Sequence, residues 1–387
     1  MSREDSLAAA DAARRDRVAF GFGLLVLGVA VFLAVGDVVR PQTLPGYDLA
    51  AYLAAAHRLL AGAPLYDYDP GSFVLGPYGQ FVYPPPIALA FVPLALLPPG
   101  LAILVWLLLL GTVAVALGLA VTRQLVPAQR SWALALFFFF PPLLWDVRLG
   151  NTALVTTALC WLSWRSRDRP ARAGLLFAVA LGVKLLPILL VPYFVASGRI
   201  RMLLWTALAG LVLVAVTWPV VGTAAWSDYL ALLGVIAGSA PAAGPNVLPA
   251  ALGSGPGRVA IVIAAIALVL TAGLIGRLRR AETRSFSLAV ASAPLIGATI
   301  WYPYLTLALP LLMLVGLGDP LVAGTHRIRP SGSVGRILVW AAIGVQAIPQ
   351  PDRDSTSPFF GLVALLGWAV FDLTRAAVRS RGDPTRP

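Results

Sequence analysis

The chain has 387 residues, of which 59% are hydrophobic and only 12% charged, and a mean hydropathy of +0.84. Soluble domains carry roughly 25% charged residues, so an ordinary soluble enzyme is excluded. The single cysteine, Cys160, excludes a disulfide framework or a thiolate metal site, and the net charge of +12 falls in short arginine clusters between apolar runs, the signature of cytoplasmic loops and not of a nucleic-acid-binding face.

The fold class is an all-α polytopic membrane protein, because lipid tolerates only helices and closed barrels and these apolar runs are too long for barrel strands. Residues 1–17 carry Arg14, Arg15 and Arg17 and read as a cytoplasmic N-terminus. The run 18–39 lacks the features of a cleaved leader and reads as a first crossing that stays as an anchor. Residues 40–99 are predicted to form a large first extracytoplasmic loop. Within it, 84–98 is apolar, bounded by prolines and too short to cross, and reads as a re-entrant or interfacial helix. Further crossings are predicted at 100–122, 131–146, 150–164, 173–184, 186–196, 202–221, 257–276, 286–302, 305–318, 336–349 and 359–374. That gives about 12 helices, within a range of roughly 10–13, in one membrane domain spanning 1–387. Residues 375–387 form a cytoplasmic tail with Arg375, Arg379 and Arg381. Between Arg172 and Arg199 there is too little chain for two ordinary crossings. A shallow hairpin is predicted there, with Lys184 and Pro187 near its tip beside a polar cavity.

On this topology the polar residues facing outward form a short series. The first loop supplies Asp48, Tyr52, His57 and Tyr83, and the tip near 146–151 supplies Asp146, Arg148 and Asn151. The hairpin supplies Lys184. Trp226, Asp228 and Tyr229 fall in a predicted loop at 223–257, and Trp301, Tyr302 and Tyr304 on a late tip. An acid at a membrane boundary is a functional-site hypothesis by default, which singles out Asp48. Its bland reading is a helix N-cap for residues 49–61. Asn151 reads equally as a cap for the next helix, Lys184 as a snorkelling cation, and Arg148 as the partner of Asp146 two residues away. Asp67 and Asp69, in YDYDPG, read as turn residues, and neither a metal ion nor a cofactor is expected.

These residues carry a resemblance. GYDLAAYLAAAHRLLAGAPLYDY, then FVYPPPIALAFVPLALLPPGLAILVW, resembles the opening of polyprenyl-phosphate-sugar-dependent glycosyltransferases of the GT-C fold, most of all glycosyltransferase family 87. RLGNTALVTTALCWL is similar to that family's Gly-Gln-x-Asn helix start, AGLLFAVALGVKLLPILLVPYFVASGRIR to its Lys-x-x-Pro hairpin, and IWYPYLTLALPLL to its late Trp-containing tip. The chain departs from the pattern with Gly150-Asn151 for the Gly-Gln pair and with Pro303 where many relatives carry histidine. The resemblance implies a GT-C-like fold, Asp48 as general base, a polyprenyl-phosphate sugar (mannose above all) as donor, and a glycolipid or lipid-linked glycan as acceptor. It further implies a multi-pass protein of the plasma (inner) membrane whose site faces the extracytoplasmic side.

The chemistry points the same way. A sugar on a lipid phosphate carries its leaving group at C1, and an acceptor hydroxyl attacks once a base takes its proton. One carboxylate suffices for inversion, whereas a retaining double displacement needs a second at nucleophile distance. The departing phosphate calls for cations, and Lys184 and Arg148 are the outward candidates. Tyr52, His57, Tyr83, Asn151, Trp301 and Tyr304 are expected around the sugar and acceptor. The alternative classes are a secondary transporter or lipid-linked-sugar flippase, and an envelope polymerase or ligase.

Overall fold

A computed structural model of the chain describes residues 45–73, 78–123, 127–238, 256–279, 282–297 and 302–311, with scattered helical positions between 14 and 36. Among the described residues every regular element is helical. In chain order they are α1 (Tyr47–Leu60), α2 (Pro85–Ala95), α3 (Pro99–Thr122), α4 (Pro127–Phe138), α5 (Pro141–Leu149), α6 (Ala153–Arg165) and α7 (Pro170–Val183). There follow a 3-10 turn (Leu186–Leu190), α8 (Val191–Ala196), α9 (Ile200–Gly238), α10 (Pro256–Arg279), α11 (Glu282–Ser292), and 3-10 segments Ala293–Ile296 and Tyr302–Ala308. Prolines 85, 99, 127, 141, 170 and 256 each open a helix. A proline lacks the N–H that the first turn leaves unbonded anyway, and its φ is already helical.

Among the described residues, three helical stretches are long and apolar enough to cross a bilayer: Pro99–Thr122, Ile200–Ile236 and Val259–Leu278. They present large apolar side chains outward, such as Leu108 at 62% exposed on α3 and Val216 at 67% on α9. Such surfaces are stable against acyl chains, not water. α2, at 11 residues, is about 16 Å long, well short of the roughly 30 Å hydrocarbon core.

The structure redraws two predicted segments. The crossing expected at 131–146 is two helices, α4 and α5, because Pro141 and Pro142 cannot continue the ladder of α4 and start a new one. The loop expected from 223 begins instead as helix: Gly222 (φ 80°, ψ 166°), just past Pro219, interrupts α9, and a second helical stretch runs from there to Gly238. Trp226, Asp228 and Tyr229 therefore lie on α9, and Tyr229 packs on the first loop through Tyr66, with ring centroids 5.9 Å apart. The crossings expected at 336–349 and 359–374, the tail 375–387 and most of residues 1–17 lie outside the described residues.

Two apolar cores fix the frame. One joins α1, α2, α3 and the second half of α9 through Tyr52, Phe91, Trp106, Leu110, Tyr229 and Leu232. The other joins α4, α6, α7, α8, α10 and α11 through Phe137, Trp161, Trp164, Phe177, Phe194, Val269 and Phe286. Val147 of α5 packs against both, so α5 sits at their seam. α6 and α7 form an antiparallel pair tied by Ser163 Oγ donating to Ala173 O at 2.8 Å. α7 crosses α9 closely at Gly174, where an added Cβ would meet Met202 O at 2.7 Å. At the joint between α6 and α7, Arg167 and Arg199 share Glu282 at 2.6 and 3.1 Å, and the Arg167 guanidinium lies 4.5 Å over Trp164. The far end of this pair, about 20 Å away along α6, is where the polar residues meet.

Candidate active site

The site is made of helix ends. Gly46, with φ 76°, is the N-cap of α1, and its N–H donates to Arg148 O at 2.8 Å. That bond joins the start of α1 to the last turn of α5. Asp48 stands in the first turn of α1, and α1 has no side-chain cap. The expected cap role is thus replaced: the left-handed turn at Gly46, open to glycine at little steric cost, starts the helix at Tyr47. Asp48 is left with its carboxylate unspent on its own helix.

α5 closes on Gly150, with φ 68°. Asn151 N–H reaches back to Asp146 O at 2.9 Å and Gly150 N–H to Val147 O at 3.0 Å, a Schellman closure. Gly150 O accepts from Trp106 Nε1 at 2.8 Å. There is no room here for a side chain: a Cβ on Gly150 would sit 3.0 Å from Leu49 Cβ and 3.2 Å from the Trp106 ring. This turn aims Asn151 at α1.

Both ends of the Asn151 amide are engaged. Its Nδ2 donates to Asp48 Oδ2 at 2.6 Å, and its Oδ1 accepts from Ala153 N–H at 2.9 Å and from Lys184 Nζ at 3.0 Å. The reversed amide would set its oxygen against a carboxylate and its NH2 against an ammonium, so the network fixes the orientation. Asn151 both caps α6 and links the acid to the lysine.

Lys184 arrives because α7 ends one residue earlier. Its backbone is extended (φ −155°, ψ 131°), and the Pro187-containing 3-10 turn follows. The side chain is only 4% exposed. Its ammonium lies 4.1 Å from the Tyr304 ring and 5.4 Å from the Tyr83 ring. Aromatic faces attract a desolvated cation.

Burial pushes the Asp48 carboxyl above the usual carboxylate range, and the Asn151 bond and the Lys184 charge pull it partly back. Burial likewise raises the Tyr52 and Tyr83 phenols well above their ordinary value, so both are neutral here. Tyr52 OH lies 3.5 Å from Thr152 Oγ1, and its ring packs edge-on to Tyr83 at 4.8 Å. Tyr83 O accepts from Tyr66 OH at 2.7 Å.

Asp48, Asn151, Lys184, Tyr52, Tyr83 and Tyr304 therefore come together. Arg148 reaches the group through its carbonyl, while its buried guanidinium lies 5.4 Å over the Trp145 ring. His57 is elsewhere. Nine residues along α1, about 13 Å of rise from Asp48, its Nε2 meets Ala95 O at 2.9 Å and ties α1 to α2. Trp301 lies outside the described residues. Asp69 closes its own turn by accepting from Gly71 N–H at 3.0 Å and Ser72 Oγ at 2.7 Å. Among the described residues no group of three His, Cys, Asp or Glu side chains is placed to hold a metal.

Asp146 is the residue the sequence reading underrated. It is 0% exposed and accepts Leu154 N–H on Oδ2 at 2.6 Å. Its main-chain oxygen accepts Asn151 N–H at 2.9 Å, which ties it to the residue that holds Asp48 and Lys184. The contact to Leu154 lies eight positions along the chain, beyond the pairing with Arg148 that spacing suggested. The available signal was an acid just ahead of Gly150-Asn151 in an otherwise apolar run.

A helical membrane body with an acid, an amide and a buried lysine gathered at its helix ends defines a class of membrane-embedded enzyme candidates. The model of glycosyltransferase family 87 matches residues 81–310, more than half of the chain, and the chain belongs to that family. The matched stretch contains Tyr83, Asp146, Asn151, Lys184 and Tyr304, while Asp48 precedes it. The chain is 33% identical over 223 residues to a polyprenol-phosphate-mannose-dependent alpha-(1-2)-phosphatidylinositol pentamannoside mannosyltransferase of Mycolicibacterium smegmatis. That match covers 54% of this chain and spans about half, 52%, of the relative. A protein of the same description from Mycobacterium tuberculosis is 29% identical over 352 residues, covering 85% of this chain and 77% of the relative. No solved structure matches the chain.

Proposed function

We propose that this chain is an inverting mannosyltransferase that uses a polyprenyl-phosphate mannose donor. The acceptor is a hydroxyl of a glycolipid or lipid-linked glycan, and Asp48 is the general base. The descriptions of the two relatives support the donor, and their phosphatidylinositol mannoside acceptor supports a glycolipid here. The observation that carries the residue assignment is the Asp48–Asn151–Lys184 chain of hydrogen bonds. It holds a half-buried carboxylate, raised by burial above its ordinary range, in a network that also holds a cation.

The step balances simply. The acceptor oxygen forms a bond to C1 of mannose while the C1–O bond to phosphate breaks. The electron pair leaves with polyprenyl phosphate, and the hydroxyl proton passes to Asp48. Lys184 and Arg148 are the cations proposed to meet the phosphate charge, with the Tyr83 and Tyr304 rings beside Lys184. In this reading the site faces the extracytoplasmic side of the plasma membrane. In support, Arg165, Arg167, Arg169 and Arg172 lie around the opposite end of the α6–α7 pair, and such clusters stay cytoplasmic.

The test is transfer itself. Purified protein is given polyprenyl-phosphate [14C]mannose and a phosphatidylinositol mannoside. The expected result is release of polyprenyl phosphate and a mannosylated lipid of anomeric configuration opposite to the donor's. Retained configuration would remove the single-displacement mechanism. Movement of intact donor across vesicles without cleavage would replace the enzyme reading with a flippase.

A further inference from the structure

The phosphate end of the proposed reaction has its residues, Lys184 with the Tyr83 and Tyr304 rings beside it. The acceptor end has so far only the base. In a single displacement the attacking hydroxyl and the departing phosphate lie on opposite faces of C1. The hydroxyl must also come within about 2.6–3.2 Å of the carboxylate that takes its proton. The ring that carries this hydroxyl therefore rests against the surface around Asp48, on the side away from the phosphate.

That surface includes a pair of tyrosines. Tyr47 is the first residue of α1 and directly precedes Asp48, so their Cα atoms stand about 3.8 Å apart. Successive helical side chains diverge by about 100°, so Tyr47 flanks the carboxylate and leaves it open. The turn that places the base also places Tyr47: Gly46, at φ 76°, is pinned by its N–H to Arg148 O at 2.8 Å. The Tyr47 ring meets the Tyr78 ring edge-on, with centroids 5.1 Å apart and planes at 71°.

Tyr78 is held at the surface by a loop that is anchored further on. Gly79, at φ 78°, turns the chain, and Phe81 then plunges inward against Tyr66 at 5.4 Å and Tyr83 at 5.9 Å. Of the described tyrosines in the first loop, Tyr52 and Tyr66 are buried in the core, whereas Tyr78 is 62% exposed. Two rings near a right angle make a corner, one offering its face and the other its edge. Tyrosine presents an apolar body with a polar tip and loses little conformational freedom on binding. A sugar ring has the matching form, an apolar C–H face with a hydroxyl rim.

We propose that Tyr47 and Tyr78 form the acceptor subsite, and that their paired rings take the hexose ring whose hydroxyl is activated by Asp48. The proposal rests on the reading of Asp48 as the base of a glycolipid-directed transferase, and it makes Tyr78 a determinant of acceptor specificity.

Steady-state transfer by the full-length protein in vesicles tests this, with donor and phosphatidylinositol mannoside varied in turn. Tyr78 is exposed, so its substitution leaves folding intact. Tyr78→Ala is expected to raise the acceptor KM about tenfold, with the donor KM and kcat at saturating acceptor within about threefold of wild type. Tyr78→Phe keeps the ring and is expected to stay within about threefold on every constant. An unmoved acceptor KM in Tyr78→Ala overturns the proposal, as does a parallel rise in both KM values. A binding measurement separates the subsite from a tyrosine that anchors the loop at the membrane surface. Octyl α-mannoside is added to Asp48→Asn protein and followed by saturation-transfer NMR. Saturation of the sugar-ring protons, lost on adding Tyr78→Ala and kept with Tyr78→Phe, is the expected result. Saturation confined to the octyl chain, or unchanged by Tyr78→Ala, overturns the subsite. Wild-type protein that transfers no mannose yet binds the mannoside ring through Tyr78 removes the parent reading and supports the subsite. Transfer with an acceptor KM indifferent to Tyr78→Ala removes this inference alone.

Discussion

Asp48→Asn separates chemistry from architecture because the structure states what the carboxylate holds. Asp48 Oδ2 accepts one side-chain bond, from Asn151 Nδ2 at 2.6 Å. An asparagine presents its own carbonyl oxygen to that donor, so the joint between α1 and the α5–α6 turn survives. The substituted side chain loses a charge-assisted bond and a favourable place in a first helical turn, together about 1–2 kcal/mol. It also removes the desolvation of a half-buried charge, which works in the opposite direction. The variant should insert and fold near wild-type levels. What it lacks is a proton acceptor. Loss of a general base lowers turnover about 10²–10⁴-fold, equivalent to roughly 3–5 kcal/mol in the barrier. Asp48→Ala should be equally inactive but less stable, because Asn151 Nδ2 is left unpaired at about 1–3 kcal/mol. The assay is transfer from polyprenyl-phosphate [14C]mannose in reconstituted vesicles, paired with thermal unfolding of each variant. Turnover of Asp48→Asn within tenfold of wild type refutes the assignment of the base, whatever its stability.

Three further outcomes follow from the same geometry. Asn151→Asp keeps the acceptor for Ala153 N–H and Lys184 but sets a second negative oxygen against Asp48. The Asp48 carboxyl should then hold its proton to higher pH, and since the base works only when deprotonated, the acid limb of kcat/KM against pH should move upward; an unmoved limb contradicts it. Gly150→Ala places a Cβ 3.0 Å from Leu49 Cβ at a φ of 68°, so it should cost at least about 1–2 kcal/mol in melting experiments and lower turnover by shifting α1 away from Asn151. Glu282→Gln loosens Arg167 and Arg199 at the opposite end of the α6–α7 pair. With its side chain 37% exposed the loss of stability should stay near or below about 1 kcal/mol, and turnover should be unchanged.

The acid, the amide and the lysine were legible because polar residues are scarce in a chain that is 59% hydrophobic. A charge that lipid would reject marks itself. Their mutual contacts were not legible: Asp48 and Asn151 are 103 positions apart, and only the turns at Gly46 and Gly150 turn that separation into a hydrogen bond. His57 was grouped with the site by membership of one loop. Helical rise carries it to the other end of α1, where it meets Ala95 O. The end of the first part of α9 was legible, since the crossing expected at 202–221 stops at the non-helical Gly222, just past Pro219. What was not legible is the second stretch, which restarts after Gly222, runs to Gly238 and packs Tyr229 on Tyr66 of the first loop. Pro141 and Pro142 likewise divide an apolar run, the one expected as a single crossing at 131–146.

The position of the polar groups follows from the solvent. Inside a bilayer-spanning helix the backbone satisfies itself, and an added charge finds only hydrocarbon or another helix. Helix ends differ, since each leaves backbone donors or acceptors to be completed by something outside the ladder. In this chain Asp48 sits in a first turn, Asn151 between two helices, Lys184 one residue past a last turn, and Tyr304 in a 3-10 segment. The same unfinished backbone that needs Asn151 Oδ1 at Ala153 and Asp146 Oδ2 at Leu154 thereby fixes those side chains within 3 Å of a defined place. Precision that a soluble enzyme takes from a rigid sheet is supplied here by caps, and the two apolar cores hold the caps in register through Val147 and Trp106. It follows that substitutions at Gly46, Gly150 or Trp106, none of which carries a charge, should act on turnover as strongly as on stability, because each fixes the distance between a carboxylate and the amide that orients it.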